Sequence, residues 1–119
     1  MKHVLVLSTI EHFIVVFAMR RYRRFLMRYE SKRGLIPYYD LAYNRVLESN
    51  SPEVDGGEMI SMIKALRHRA DECFRVGRYK DQDFLIALSN RIDEEKQKYQ
   101  YENGPKIAKA ASSPQLTAI

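Results

Sequence analysis

Residues 9 to 31, TIEHFIVVFAMRRYRRFLMRYES, read as one long helix whose first half is apolar and whose second half is studded with arginine. At about 100° per residue, Ile10, Phe13, Ile14, Val15, Val16 and Phe17 nearly encircle the first half. A helix that is apolar all round is a buried one, so the remainder of the chain is expected to wrap this half. Past Ala18 the pattern changes. Ala18, Tyr22, Phe25, Leu26 and Tyr29 share one arc, and Arg20, Arg21, Arg23, Arg24 and Arg28 fill the opposite side. That half is expected at the surface, with its arginines in water. Ser8-x-x-Glu11 matches a capping box and sets the helix start near Thr9, while Gly34 offers a C-terminal stop.

Working outward from this helix, His3 to Leu7 is β-prone, but no second strand is evident to pair with it, and an extended lead-in is expected. Pro37 suits the first turn of a second helix that runs to about Glu48, with Leu41, Val46 and Leu47 apolar and Tyr38, Tyr39 and Tyr43 beside them. SNSPEVDGG, residues 49 to 57, reads as turn chemistry throughout. A third helix follows over about Glu58 to Val76, where Met59, Ile60, Met62, Ile63, Leu66, Ala70, Cys73 and Phe74 recur at three-four spacing, and Gly77 ends it. Asp81 is the expected N-cap of a fourth helix that turns Phe84, Leu85, Leu88 and Ile92 inward. Asn103-Gly104-Pro105 closes that helix. The expected architecture is therefore all-α: a small four-helix orthogonal array or irregular bundle, formed by a single domain over residues 1 to 103. A flexible C-terminal tail is expected over 104 to 119, with a short docking helix around Ile107 as its alternative.

The 119 residues suit one domain, and 45% apolar with 29% charged residues is the balance of a globular chain. One cysteine, Cys73, leaves no internal disulfide framework, so a cytoplasmic location is expected. The net charge of +5 is unevenly distributed: residues 1 to 36 carry +6, 37 to 63 carry −4, 64 to 80 carry +4 and 81 to 103 carry −3. Such blocks can neutralise one another when helices pack. Val4 to Met19 is too short for a membrane span, which needs roughly 20 apolar residues, and it contains Glu11. Membrane association through this apolar stretch is the remote alternative to burial or a subunit interface.

Catalysis needs a base or nucleophile within reach of its partner, or converging metal ligands. His3, His12 and His68 share no motif spacing, and Cys73 lies on an apolar stripe. Glu11 and His12, adjacent on a helix, point about 100° apart. The acids at Asp81, Asp83, Asp93, Glu94 and Glu95 lack the glycine-centred loop of a calcium site, and no Gly-rich phosphate cradle is present. No enzyme activity, metal or cofactor is expected.

The arginine segment stands above this background. Arg20, Arg21, Arg23, Arg24, Arg28, Lys32 and Arg33 face a single acid, Glu30, and arginine's planar fork matches carboxylate and phosphate bidentately. The expected function is a regulatory or inhibitory protein-binding module that sets this face on an acidic surface of a larger protein. The alternative is a nucleic-acid-binding accessory protein using the same face, joined by a secondary patch of Lys64, Arg67, Arg69, Arg75 and Arg78. The acidic blocks between the basic ones favour a protein target. Surplus apolar surface at Ile10, Phe13, Ile14 and Phe17, beside a lead-in without a partner, adds the expectation of a homodimer.

Overall fold

In the computed structural model, which describes residues 2–103, the chain runs through β1 (His3–Val4), α1 (Thr9–Arg28), a 3-10 segment (Glu30–Leu35) and α2 (Ile36–Glu48). It continues through β2 (Glu53–Val54), α3 (Gly56–Arg75) and α4 (Tyr79–Asn103). Over the described residues the fold is all-α, with four helices and a two-strand sheet. The tail expected over 104 to 119, the docking helix around Ile107 and the Gly104-Pro105 stop lie outside the described residues.

Local chemistry accounts for most of the helix ends. Ser8 Oγ accepts from the Glu11 amide at 3.1 Å and Glu11 Oε1 accepts from the Ser8 amide at 2.9 Å, which is the capping box read from the sequence. The Ser8 amide, helped by Arg91, holds the Glu11 carboxyl below the usual carboxylate range. At the other end α1 stops at Arg28, earlier than expected. Tyr29 turns extended, its ring packs on Phe25 with centroids 4.8 Å apart, and Arg33 Nε donates to the Met27 carbonyl at 3.0 Å. Gly34 therefore sits inside the 3-10 segment and does not act as the stop. Gly77 does: at φ +79°, it donates to the Phe74 carbonyl while Arg78 donates to that of Cys73, the paired bonds of a Schellman motif. That turn is so tight that α4 begins at Tyr79, which places Asp81 in the first turn and not at the cap.

Two corrections fall on residues 49 to 57. This stretch is not turn throughout, because Glu53–Val54 pairs antiparallel with His3–Val4, in the register His3 to Val54 and Val4 to Glu53. The ladder continues through the Leu5 amide to the Pro52 carbonyl and the Leu7 amide to that of Asn50, both at 2.9 Å. The N-terminal strand thus has an internal partner after all, and its alternation buries Leu5 and Leu7 while Val4 and Val6 face out. In addition, α3 starts at Gly56 and not at Glu58. Asp55 is its cap, with Asp55 Oδ1 accepting from the Glu58 amide at 2.8 Å and Glu58 Oε1 accepting from the Asp55 amide at 2.9 Å. The Glu58 side chain is buried and also takes Lys2 Nζ at 3.2 Å and Arg45 Nε at 2.7 Å, so one carboxylate ties the N-terminal strand and α2 to the start of α3.

The core is centred on α3, which buries residues along its whole length from Gly56 to Cys73, and α1, α2 and α4 all pack on it. Leu85, Leu88 and Ile92 bring α4 to one side; Val15, Ala18, Met19 and Leu26 bring α1 to another. The apolar half of α1 is accordingly not encircled. Ile10 and Phe13 are 66% and 69% exposed and Phe17 is 38% exposed, because α4 packs on α3 and leaves the outer side of α1 open. The same competition turns out other expected core residues. Phe84, Ile60 and Phe74 are exposed, as are Leu41 and Leu47, while α2 buries Tyr39 and Ala42 in their stead. The Tyr39 hydroxyl donates to the Met19 carbonyl at 2.7 Å, and burial pushes its pKa far above the usual phenol range. Across the same interface His12 Nε2 meets the Val46 carbonyl at 2.6 Å, so that nitrogen carries the proton.

Candidate functional site

The side chains that α1 presents toward α3 recur at three-four spacing: Ile14, Phe17, Arg21, Arg24 and Arg28. Facing them, α3 contributes His68, Arg69, Glu72, Cys73 and Arg75. Two concavities lie along this seam. One, of about 370 Å³, is lined by Arg21, Arg24, Arg28 and Arg75 with Phe25, Tyr29, His68 and Glu72. The other, of about 320 Å³, is lined chiefly by Phe13, Ile14, Phe17, Cys73, Phe84 and Leu85, with Arg69, Arg78 and Asp81 also on its wall.

The arginine set divides by partner. Arg21 makes a bidentate bond to Glu72 at 2.9 and 3.0 Å, and Arg69 adds a third contact to the same carboxylate at 3.3 Å. The Arg21 hydrogen bond holds Glu72 below its ordinary range and raises Arg21 above its own. Arg23 turns to α2 and forks onto Asp40 at 2.8 and 3.1 Å, while Arg20 donates to the Tyr43 hydroxyl at 3.2 Å. Those two do not enter the cleft, and Arg21 and Arg23 are not simply left in water as expected. Arg33 closes the end of α1, and Lys32 lies exposed on the 3-10 segment. Arg24 and Arg28 remain exposed, and among the described residues neither has an ion pair or a side-chain hydrogen bond. They are the free guanidinium groups of the cleft.

The secondary patch does not gather into one surface. Arg67 bonds Ser89 and Asn90 and pairs with Asp93 of α4 at 3.6 Å. Arg78 pairs with Asp81, and Arg75 with Asp71. Lys64 lies beside Tyr22 and Tyr38 at a separate concavity. Of the five, Arg75 reaches the basic cleft, and Arg69 and Arg78 reach the wall of the apolar concavity. Phe25 lines the basic cleft and stacks at 5.7 Å on Tyr22, which faces the separate concavity, and His68 leans on Tyr22 and Phe25 at 5.3 and 4.5 Å. Burial pushes the His68 imidazole below its ordinary value, so it is neutral at pH 7, and its Nδ1 is buried without a hydrogen-bond partner among the described residues.

Chemically the cleft offers an anion two unspent planar forks one helical turn apart, backed by Arg21, which is fixed in place by Glu72. Sequence reasoning found the arginines, with Arg75 in the secondary patch, but missed Glu72 and His68 as their neighbours. The signal available was the acid at 72 four residues after His68, one turn on along the same face of α3. Among the described residues no cluster of three or more His, Cys, Asp or Glu side chains is placed to hold a metal ion, and no helix is long and apolar enough to cross a membrane. The chain matches no protein-family model, no curated protein and no solved structure.

Proposed function

We propose that this protein is a small regulatory or inhibitory binding module, not an enzyme, which sets the arginine face of α1 on an acidic surface of a larger protein. One observation carries the reading: Arg24 and Arg28 stand side by side in the cleft without a carboxylate, whereas Arg21, Arg23, Arg69, Arg75 and Arg78 each have one. Like charges four apart on a helix repel by about 0.2 to 0.5 kcal/mol, so an incoming carboxylate relieves a strain that the fold itself leaves in place. A protein target is favoured over nucleic acid because the other basic side chains are dispersed and mostly spent on neighbouring acids, which leaves no continuous track for phosphates.

The test is the double charge reversal Arg24→Glu with Arg28→Glu, compared with the wild-type chain for capture of acidic proteins on an immobilised column. The expected result is at least tenfold weaker retention, since each charge-assisted bond to an ionised group is worth about 1.5 to 3 kcal/mol. Unchanged retention overturns the reading. Salt separates the two polyanion classes: with duplex nucleic acid the slope of log affinity against log salt is about −0.9 per neutralised phosphate. With an acidic protein, salt chiefly slows association. Tight, steeply salt-dependent binding to duplex nucleic acid, with no retention of acidic proteins, would move the function to the nucleic-acid class.

A further inference from the structure

The basic cleft and the apolar concavity share one seam between α1 and α3, and they meet at Phe17. Its ring lies under two guanidinium groups, Arg69 at 5.2 Å and Arg21 at 5.8 Å, and both of these also hold Glu72. Between the two concavities Arg21, Glu72 and Arg69 bridge α1 to α3, and along α1 the three-four spacing carries Ile14 and Phe17 through Arg21 to Arg24 and Arg28. The two ends of the seam differ in kind: one is lined by Phe13, Ile14, Phe17 and Phe84, the other by four arginines against the single carboxylate of Glu72.

We propose that this seam is one receptor for a single amphipathic helical segment of a partner protein, acidic in its first turns and apolar about three turns later. The proposal rests on the arginine-face reading above and adds the second half of the ligand. Charge complementarity fixes the acidic end over Arg24 and Arg28. The exposed aromatic groups at Phe13 and Phe84, on either side of an apolar hollow, fix the other end. The midpoints of the two concavities along α1 are about ten residues apart, roughly 15 Å at 1.5 Å per residue, which is close to three turns of an occupying helix. A helix favours carboxylates at its own N-terminus, so the segment lies antiparallel to α1, its acidic turns at the Arg28 end. Helix-in-groove binding of this kind reads anchors one or two turns apart on one face of the ligand.

The probe is a fluorescein-labelled synthetic helix with glutamates in its first two turns and leucine and phenylalanine anchors three turns on, beside a control with the anchors replaced by alanine. Fluorescence anisotropy with the full chain is expected to show the anchored helix binding at least about tenfold tighter than the control. Phe13→Ala with Phe84→Ala should abolish that gain and leave the control's affinity unchanged. Arg24→Glu with Arg28→Glu should weaken both peptides. Equal affinity of the two peptides overturns the receptor while leaving the arginine reading in force, and absence of binding by either overturns both. Sedimentation of the chain alone gives the other decisive outcome: a dimer that Phe13→Ala with Phe84→Ala converts to monomer assigns the apolar half to a second copy and overturns the proposal. On the wild-type chain, which needs no substitution, amide resonances of Phe13, Phe17, Arg24 and Arg28 should shift together as the anchored helix is added. Shifts confined to the arginines also overturn it.

Discussion

The apolar half of α1 and the whole of α3 make an instructive pair. By composition the first is the greasiest run of the chain, and the second alternates grease with Lys64, Arg67, Arg69 and Glu72. Yet α3 is the element on which every other helix packs, whereas α1 leaves Ile10, Phe13 and Phe17 open to solvent. Burial follows the number of neighbours an element can touch, and α3 lies between α1, α2 and α4. Apolar content states what an element could bury; position in the bundle decides what it does bury.

The comparison breaks most directly on stability. Leu66→Ala, at a fully buried site on α3, should cost about 2 to 5 kcal/mol in urea denaturation, the range for deleting a core leucine. If Phe13→Ala costs as much, the open face of α1 is not open. Next in size is Glu58→Gln, which removes a buried charge from between Lys2 and Arg45 and weakens the α3 cap. Because both cations are partly exposed, about 2 kcal/mol is expected and not the full cost of orphaning a buried pair, with the loss read as a lower urea midpoint at constant slope.

A smaller effect concerns pH. His68 has a folded pKa below its ordinary 6.5, so between the two values the unfolded chain binds more protons than the folded one. Stability from this group is complete above about pH 6.5 and declines as the pH falls toward the folded value. His68→Phe should flatten the dependence of melting temperature on pH in that window, while the decline at lower pH, where Glu72 and Glu11 with their lowered pKa values become protonated, persists. A wild-type melting temperature that is level from pH 7 to 5 would refute the burial of His68. Smallest of all, Arg20→Glu, Arg24→Glu and Arg28→Glu together should leave the helical circular dichroism unchanged and cost less than about 0.5 kcal/mol per site, since each is exposed.

What was legible in the chain was local. Ser8 with Glu11, and Gly77 with its following turn, carry their meaning within four residues, and the structure uses both as read. Asp55-x-x-Glu58 is the same capping pattern, hidden by the Pro, Gly and Ser of its surroundings. The sheet was not legible, because two residues on each side make no periodicity. Nor were the partners of the arginines: Glu72 is 51 residues from Arg21 and Asp40 is 17 from Arg23, and spacing says nothing at such separations. The exchange of Leu41 and Leu47 for Tyr39 and Ala42 was a matter of which face of α2 met α1 and α3, a choice that local pattern leaves open.

The clasp between the first strand and β2 also bears on the order of assembly. Closing a loop of about 50 residues costs on the order of 3.5 kcal/mol in chain entropy, whereas α3 and α4 are joined by a three-residue turn and meet almost without search. Nucleation therefore belongs to the C-terminal hairpin. Leu5 and Leu7 dock late, because their strand awaits Pro52 and Val54, and because Arg91 and Glu95 must come to Val6 and His3. On the ribosome the sequence is inverted: the strand is made before the helices, and one of its partners, Glu95, follows 92 residues later, a wait of roughly 5 to 18 s at ordinary elongation rates. Through that interval the Val4 to Met19 run is a nascent chain without the elements that cover Leu5, Leu7, Val15, Ala18 and Met19 in the fold.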